Sequence, residues 1–166
     1  FMAVGDFIAH DALTQEAKKR AMEQGRPEGY DYASMFSPLQ PLLDRADLLF
    51  INQESMVNPQ QPIAGYPNFN APVELIDDIA RAGFNLVSIA NNHALDSYEE
   101  GFLATASYWA KHWPEVAVSG KWAENPATSI ELIRVHGIDI SFAAFTYDGN
   151  ENFSQAESLM RIDSPE

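Results

Sequence analysis

The chain has 166 residues, of which 24 are acidic and 10 basic, giving a formal charge of −14, and it contains no cysteine. A field of that sign repels nucleic acid and anionic membrane surfaces, and the missing thiols exclude disulfides and thiolate metal ligands. The length suits one domain; 46% hydrophobic and 20% charged residues suit a globular chain that buries a sizeable core, and no apolar run is long enough to span a bilayer.

The chain opens with Phe1-Met2-Ala3-Val4, which reads as a strand already under way. The chain is therefore expected to be trimmed, with any targeting segment removed ahead of it. Met2 to Val4 forms a short strand that stops at Gly5-Asp6. Asp11 to Gln24 is a weakly amphipathic helix ended by Gly25-Arg26-Pro27. It carries the basic cluster Lys18-Lys19-Arg20, which reads as a solvated helix face. Ser37-Pro38-Leu39-Gln40 reads as a capped helix start, with Leu39, Leu42, Leu43 and Ala46 on one face. Asp47 to Ile51 is a buried strand stopping at Asn52-Gln53-Glu54. Asn58 to Asn70, rich in Pro, Asn and Gly, is a long loop.

Pro72 opens a helix whose buried stripe is Leu75, Ile76, Ile79 and Ala80, and Gly83 ends it. Phe84 to Ala90 is a third strand, ending at Asn91-Asn92-His93. Ser97 and Glu100 form a capping box for a helix with Phe102, Leu103, Ala106, Trp109, Ala110 and Trp113 at core spacing. Val116 to Val118 is a short strand. Ile130 to Val135 and Ile138 to Phe145 flank a His136-Gly137 hairpin turn, and Thr146 to Asn150 is polar and turn-rich. Strands alternating with helices, then a hairpin, predict an α/β layered fold.

Three successive strands stop at polar residues. In open α/β sheets ligands gather at the carboxyl ends of strands, so these ends are expected to converge on one site. The candidates are Asp6, His10, Asn52, Glu54, Asn92, His93 and Asp96. Carboxylates, imidazole and amide oxygens suit Mn, Mg, Fe or Zn. Each has a plainer reading. Asp6 is also suited to capping, and His10 to an exposed loop. Asn52 and Glu54 face the same way on an extended segment, yet also fit a turn pair. Asn91-Asn92-His93 is the most telling run, because two amides and an imidazole at an apolar strand end are costly to bury without partners. Asp96 is a ligand, a partner orienting His93, or a turn residue. His112 and His136 read as structural or exposed.

These strand ends also carry a resemblance. Gly5-Asp6 with His10, Tyr30-Asp31-Tyr32 leading to Phe36, Ala46 to Glu54, Phe69-Asn70-Ala71-Pro72, and above all Ala82 to Asp96 with its Ala90-Asn91-Asn92-His93-Ala94-Leu95-Asp96 run, resemble the CapA family of poly-γ-glutamate capsule proteins. Gly101-Phe102 and Thr105 continue the match, which runs from Val4 to about Gly120. The resemblance implies an αββα metallophosphoesterase-like sandwich, of which residues 1–166 form the N-terminal part, incomplete at its C-terminus. It implies Asp6, Asn52, Glu54 and Asn92 as metal ligands with His10 substituting for a usual histidine, and His93 as the residue that meets the phosphate; His93 and Asp96 are the catalytic candidates. Three departures stand out. Ile8 occupies the position of that histidine, Asn52 replaces the bridging carboxylate, and the fold's later histidine motifs do not occur before Glu166.

Two functions follow as expectations. One is metal-assisted hydrolysis of a phosphoester or of a capsule-polymer amide, with His93 as general acid. The other is a non-catalytic scaffold or polymer-binding subunit. The resemblance places the full-length protein on the extracellular face of the bacterial envelope, membrane-anchored, with poly-γ-glutamate or a related polymer and membrane capsule synthase subunits as partners, and no nucleic acid.

Overall fold

A computed structural model describes residues 1–122, 130–150 and 157–162. Its centre is a parallel sheet of β1 (Met2–Phe7), β2 (Leu49–Gln53), β3 (Leu86–Ser88) and β4 (Ala117–Ser119), in that spatial order. Successive strands step one way across the sheet, and crossovers of the usual right hand then put the connecting helices on one face. Those helices are α1 (Asp11–Glu23), α2 (Ala33–Phe36), α3 (Gln40–Leu43), α4 (Glu74–Arg81) and α5 (Tyr98–His112). Ala17, Tyr32, Phe36, Leu75, Ile76, Ile79, Phe102 and Trp109 pack there against Leu49, Ile51 and Val87 in the main core.

The opposite face is covered by an antiparallel hairpin of β5 (Glu131–Val135) and β6 (Ile138–Phe142). Ile133, Val135, Ile140 and Phe142 pack on Leu48, Phe50, Leu86 and Ala117, and the Phe50 and Phe142 rings meet edge-on at 6.0 Å. His136 and Gly137 both take positive φ, 50° and 81°, as the tight turn requires. The layers are helices, parallel sheet and second sheet, consistent with the N-terminal part of an αββα sandwich. No helix among the described residues is long and apolar enough to cross a membrane.

Several boundaries differ from expectation. β1 does not stop at Gly5-Asp6 but runs through them to Phe7. Between the pairs Ala3–Phe50 and Asp6–Asn52, β1 carries Val4 and Gly5 where β2 carries only Ile51. That irregularity sets Asp6 beside Asn52.

The helix expected from Ser37 is broken into α2, a 3₁₀ turn at Ser37–Leu39 and α3. Pro41 is the reason: inside a helix begun at Ser37 its ring would meet the Ser37 carbonyl, and it has no N–H to donate. Leu39 and Leu42 are consequently exposed, and only Leu43 of the α3 residues is buried. β3 has three residues rather than seven. Ser97 makes no capping bond; its hydroxyl donates to the Phe69 carbonyl at 3.4 Å, and Tyr98 begins α5 at φ 59°. The Lys18-Lys19-Arg20 cluster is locally neutralised. Arg20 and Lys19 pair with Glu16, Lys19 also with Glu23, and Lys18 lies over the Tyr30 ring.

Candidate functional site

The carboxyl ends of β1, β2 and β3 meet at one sheet edge. Asp6 and Asn52 are register partners, and the Asn52 amide donates to Asp6 Oδ1 at 2.8 Å. Asn91, just past β3, donates to Asn52 Oδ1 at 3.2 Å and to the Gln53 carbonyl at 3.0 Å. Its own Oδ1 accepts the His93 backbone N–H at 3.1 Å. Asn91 therefore ties two strand ends together and fixes the turn that presents His93.

His93 is the best-held group on this edge. Its Nδ1 lies 2.7 Å from Asp96 Oδ2, whose carboxylate also accepts the Phe69 N–H at 2.8 Å. The Asp96 side chain is only 1% exposed. A buried carboxylate accepts and does not donate, so it selects the ring form with the proton on Nδ1. Nε2 then faces Glu54, whose Oε1 lies 3.9 Å away. The Phe69 ring stands edge-on to His93 at 4.9 Å and walls one side. Burial, and next the Asp6 carboxylate, push Glu54 above the ordinary glutamate value; the neighbouring His93 acts in the opposite sense. Asp6, Glu54 and His93 thus form an acid–base cluster at the end of a rigid sheet.

The loop before α4 supports this geometry. Asn70 accepts the Asn58 N–H at 2.7 Å and donates to the carbonyls of Asn58, Gln61 and Pro62. Phe69 is held in place as a result, and through it Asp96.

The family model described as bacterial capsule synthesis protein PGA_cap matches residues 1–164. The chain belongs to that family. Two relatives from Sinorhizobium fredii (strain NBRC 101917 / NGR234), the uncharacterized proteins y4uA and y4sH, are 32% and 31% identical to it over 113 residues. Each alignment covers 63% of this chain and 21% of the relative, so the chain spans about a fifth of the length of the curated relatives it matches.

Within this family member the sequence candidates separate. Asp6, Asn52, Glu54, His93 and Asp96 share the sheet edge. Asn92 is exposed, and its amide donates to Asn150 Oδ1 at 3.3 Å. His10 is joined to other rings instead: Tyr66 at 6.4 Å and Phe69 at 5.8 Å. It is the N-cap residue of α1 and, like His93, touches the Phe69 ring. Asp96 is buried behind His93, in the orienting role. His112 stacks on Tyr108, and His136 is exposed and bonded to Asp47 at 2.9 Å.

A divalent ion is the group this fold class implies. Among the described residues no three His, Asp or Glu side chains are placed to hold one. The amides that would complete a set are engaged with each other: Asn52 with Asp6 and Asn91, Asn92 with Asn150. The described donors therefore do not fit a two-metal phosphoesterase centre.

Two residues of the edge are not singled out by the sequence. Asn91 reads there only as part of a polar run. Asn150 lies far along the chain, in a stretch with no signal beyond its turn composition.

Proposed function

We propose that the protein acts in synthesis, export or anchoring of a poly-γ-glutamate-type capsule polymer, and that the His93 edge performs a hydrolytic step on it. The supporting observation is the Asp96–His93 pair with Nε2 turned toward Glu54. Neutral His93 accepts a proton at Nε2 from an attacking water, and Asp96 stabilises the imidazolium that forms. Glu54, biased toward its protonated form by burial and Asp6, donates to the leaving amine of a γ-glutamyl amide. The water oxygen becomes part of the new carboxylate and the amine leaves protonated. We place the full-length protein on the outer face of the envelope, membrane-anchored, beside the membrane subunits of a capsule synthase.

The engaged amides favour a second reading, a polymer-binding subunit without turnover. The experiment that decides uses the full-length protein with His93→Gln or Glu54→Gln. Purified poly-γ-glutamate is incubated with each, and new amine ends and chain length are measured. Hydrolysis by the wild type, reduced on the order of 10²-fold in both variants, supports the acid–base reading. No hydrolysis by the wild type, with polymer still bound, establishes the scaffold.

A further inference from the structure

Among the described residues, Asn150 carries the segment after β6 to the first sheet's site. The segment after β6 is anchored twice on its way: the Ala144 N–H donates to Ser119 Oγ at 2.9 Å, and Thr146 exchanges backbone bonds with Met160 and Ile162 at 3.1 and 3.0 Å. The Thr146 hydroxyl then closes a turn onto the Asp148 carbonyl at 2.8 Å. This delivers Asn150, whose backbone N–H donates to the Asn92 carbonyl at 2.9 Å.

The Asn150 side chain has both ends occupied. Its Oδ1 accepts from the Asn92 amide at 3.3 Å, which fixes which end of the amide faces the imidazole. Its Nδ2 lies 3.1 Å from His93 Nδ1 and 3.3 Å from Nε2. Nδ1 is already committed to Asp96 at 2.7 Å. Near-equal distances to the two ring nitrogens place Nδ2 over the face of the imidazole, where its N–H meets the π face and leaves the in-plane lone pair of Nε2 free.

We propose that Asn150 is a positioning residue: it clamps Asn92 and backs the face of the His93 ring, so that the segment after β6 sets the aim of the imidazole. Asp96 fixes Nδ1 and Asn150 fixes the plane of the ring. Loss of Asn150 leaves the ring free to swing about its Asp96 bond, away from Glu54. This rests on the hydrolytic reading for its kinetic consequence, but not for its geometry.

The test uses the full-length protein. Asn150→Ala removes both side-chain bonds, whereas Asn150→Asp keeps the acceptor for Asn92 and drops the donor to His93. Two measurements are made on each. The ring-nitrogen NMR signals of His93, assigned through His93→Gln, are read at a single alkaline pH where histidine is neutral. Hydrolysis of purified poly-γ-glutamate is followed by amine-end release. In both variants the Nε2 signal shifts as the ring loses the amide on its face, kcat falls about tenfold, and KM changes little. Melting temperature reports folding separately. An unmoved Nε2 signal in both folded variants overturns the proposal, as does a wild-type kcat in Asn150→Asp. If the signal moves while His93→Gln still hydrolyses the polymer, the contact stands and the positioning role falls with the hydrolytic reading.

Discussion

Asp96 holds His93 by the ring nitrogen that points into the protein, at 2.7 Å, and the same carboxylate takes the Phe69 amide proton. One buried acid thus sets both the imidazole and the loop that walls it. Both bonds fall on the same oxygen, Oδ2, so Asp96→Ala removes them together. The ring then loses the acceptor that selects its Nδ1–H form. We expect a stability loss of about 1–2 kcal/mol and a fall in polymer hydrolysis on the order of 10²-fold. Ring-nitrogen NMR at fixed pH checks the tautomer; an unchanged Nδ1–H form would contradict the orienting role.

Gln53 is fully buried, although it sits between two candidate site residues. Its Oε1 accepts the Trp109 indole N–H at 2.7 Å and its Nε2 donates to the Ser55 carbonyl at 2.9 Å. Gln53→Leu leaves the indole N–H buried and unpaired, at a cost of about 1–3 kcal/mol. Adding Trp109→Phe removes the orphaned donor, so the double variant should lose less than the sum of the singles. Chemical denaturation of all three measures this, and strict additivity would show that the bond carries no coupling.

Glu54 gives a pH dependence with a defined sign. Its pKa is raised in the folded state, first by burial and then by Asp6, above the ordinary value of 4.5. The folded state therefore binds the Glu54 proton more tightly than the unfolded chain does. Its contribution is most favourable below that ordinary value and is lost as pH rises through the raised one. An uncharged amide at this position carries no such penalty. Glu54→Gln should match the wild type in acid and become the more stable of the two toward neutral pH. Melting curves across that range test it; a difference independent of pH would mean Glu54 is not perturbed by folding.

Gly120 closes the sheet beside the Asn91 turn. Its φ is +133°, and a Cβ there would lie 2.7 Å from the Ala90 backbone nitrogen. Neither the conformation nor the approach admits a side chain cheaply. Gly120→Ala is expected to cost more than about 1 kcal/mol. Because Ala90 leads directly into Asn91, the His93 ring signals should shift as well. A stable variant with unmoved His93 signals would show that this contact does not position the turn.

Much of the scaffold was legible in the residues alone. Strand and helix periods gave the alternation of β and α, Leu75, Ile76 and Ile79 marked the buried face of α4, and His136-Gly137 marked the hairpin. The polar residues closing three apolar strands indicated a shared edge, since parallel strands bring their carboxyl ends together. Local signals misled where a neighbour overruled them. Pro41 broke the helix that Ser37 and Pro38 advertise, and Ser97 turned to Phe69 rather than capping α5.

Tertiary structure alone decided the site's fine geometry. The irregularity at Val4-Gly5 sets Asp6 against Asn52, and nothing in the local sequence specifies a register between strands so far apart in the chain. Packing beside Phe69 and Tyr66 places His10 among aromatic rings, a neighbourhood its residue type and position in the chain do not announce. Asn150 reaches His93 from the segment that follows the hairpin, placed there by its backbone bond to Asn92. That contact joins residues 57 positions apart. Periodicity reports which face of an element is apolar; it carries no record of which distant side chain a layer will lay across it.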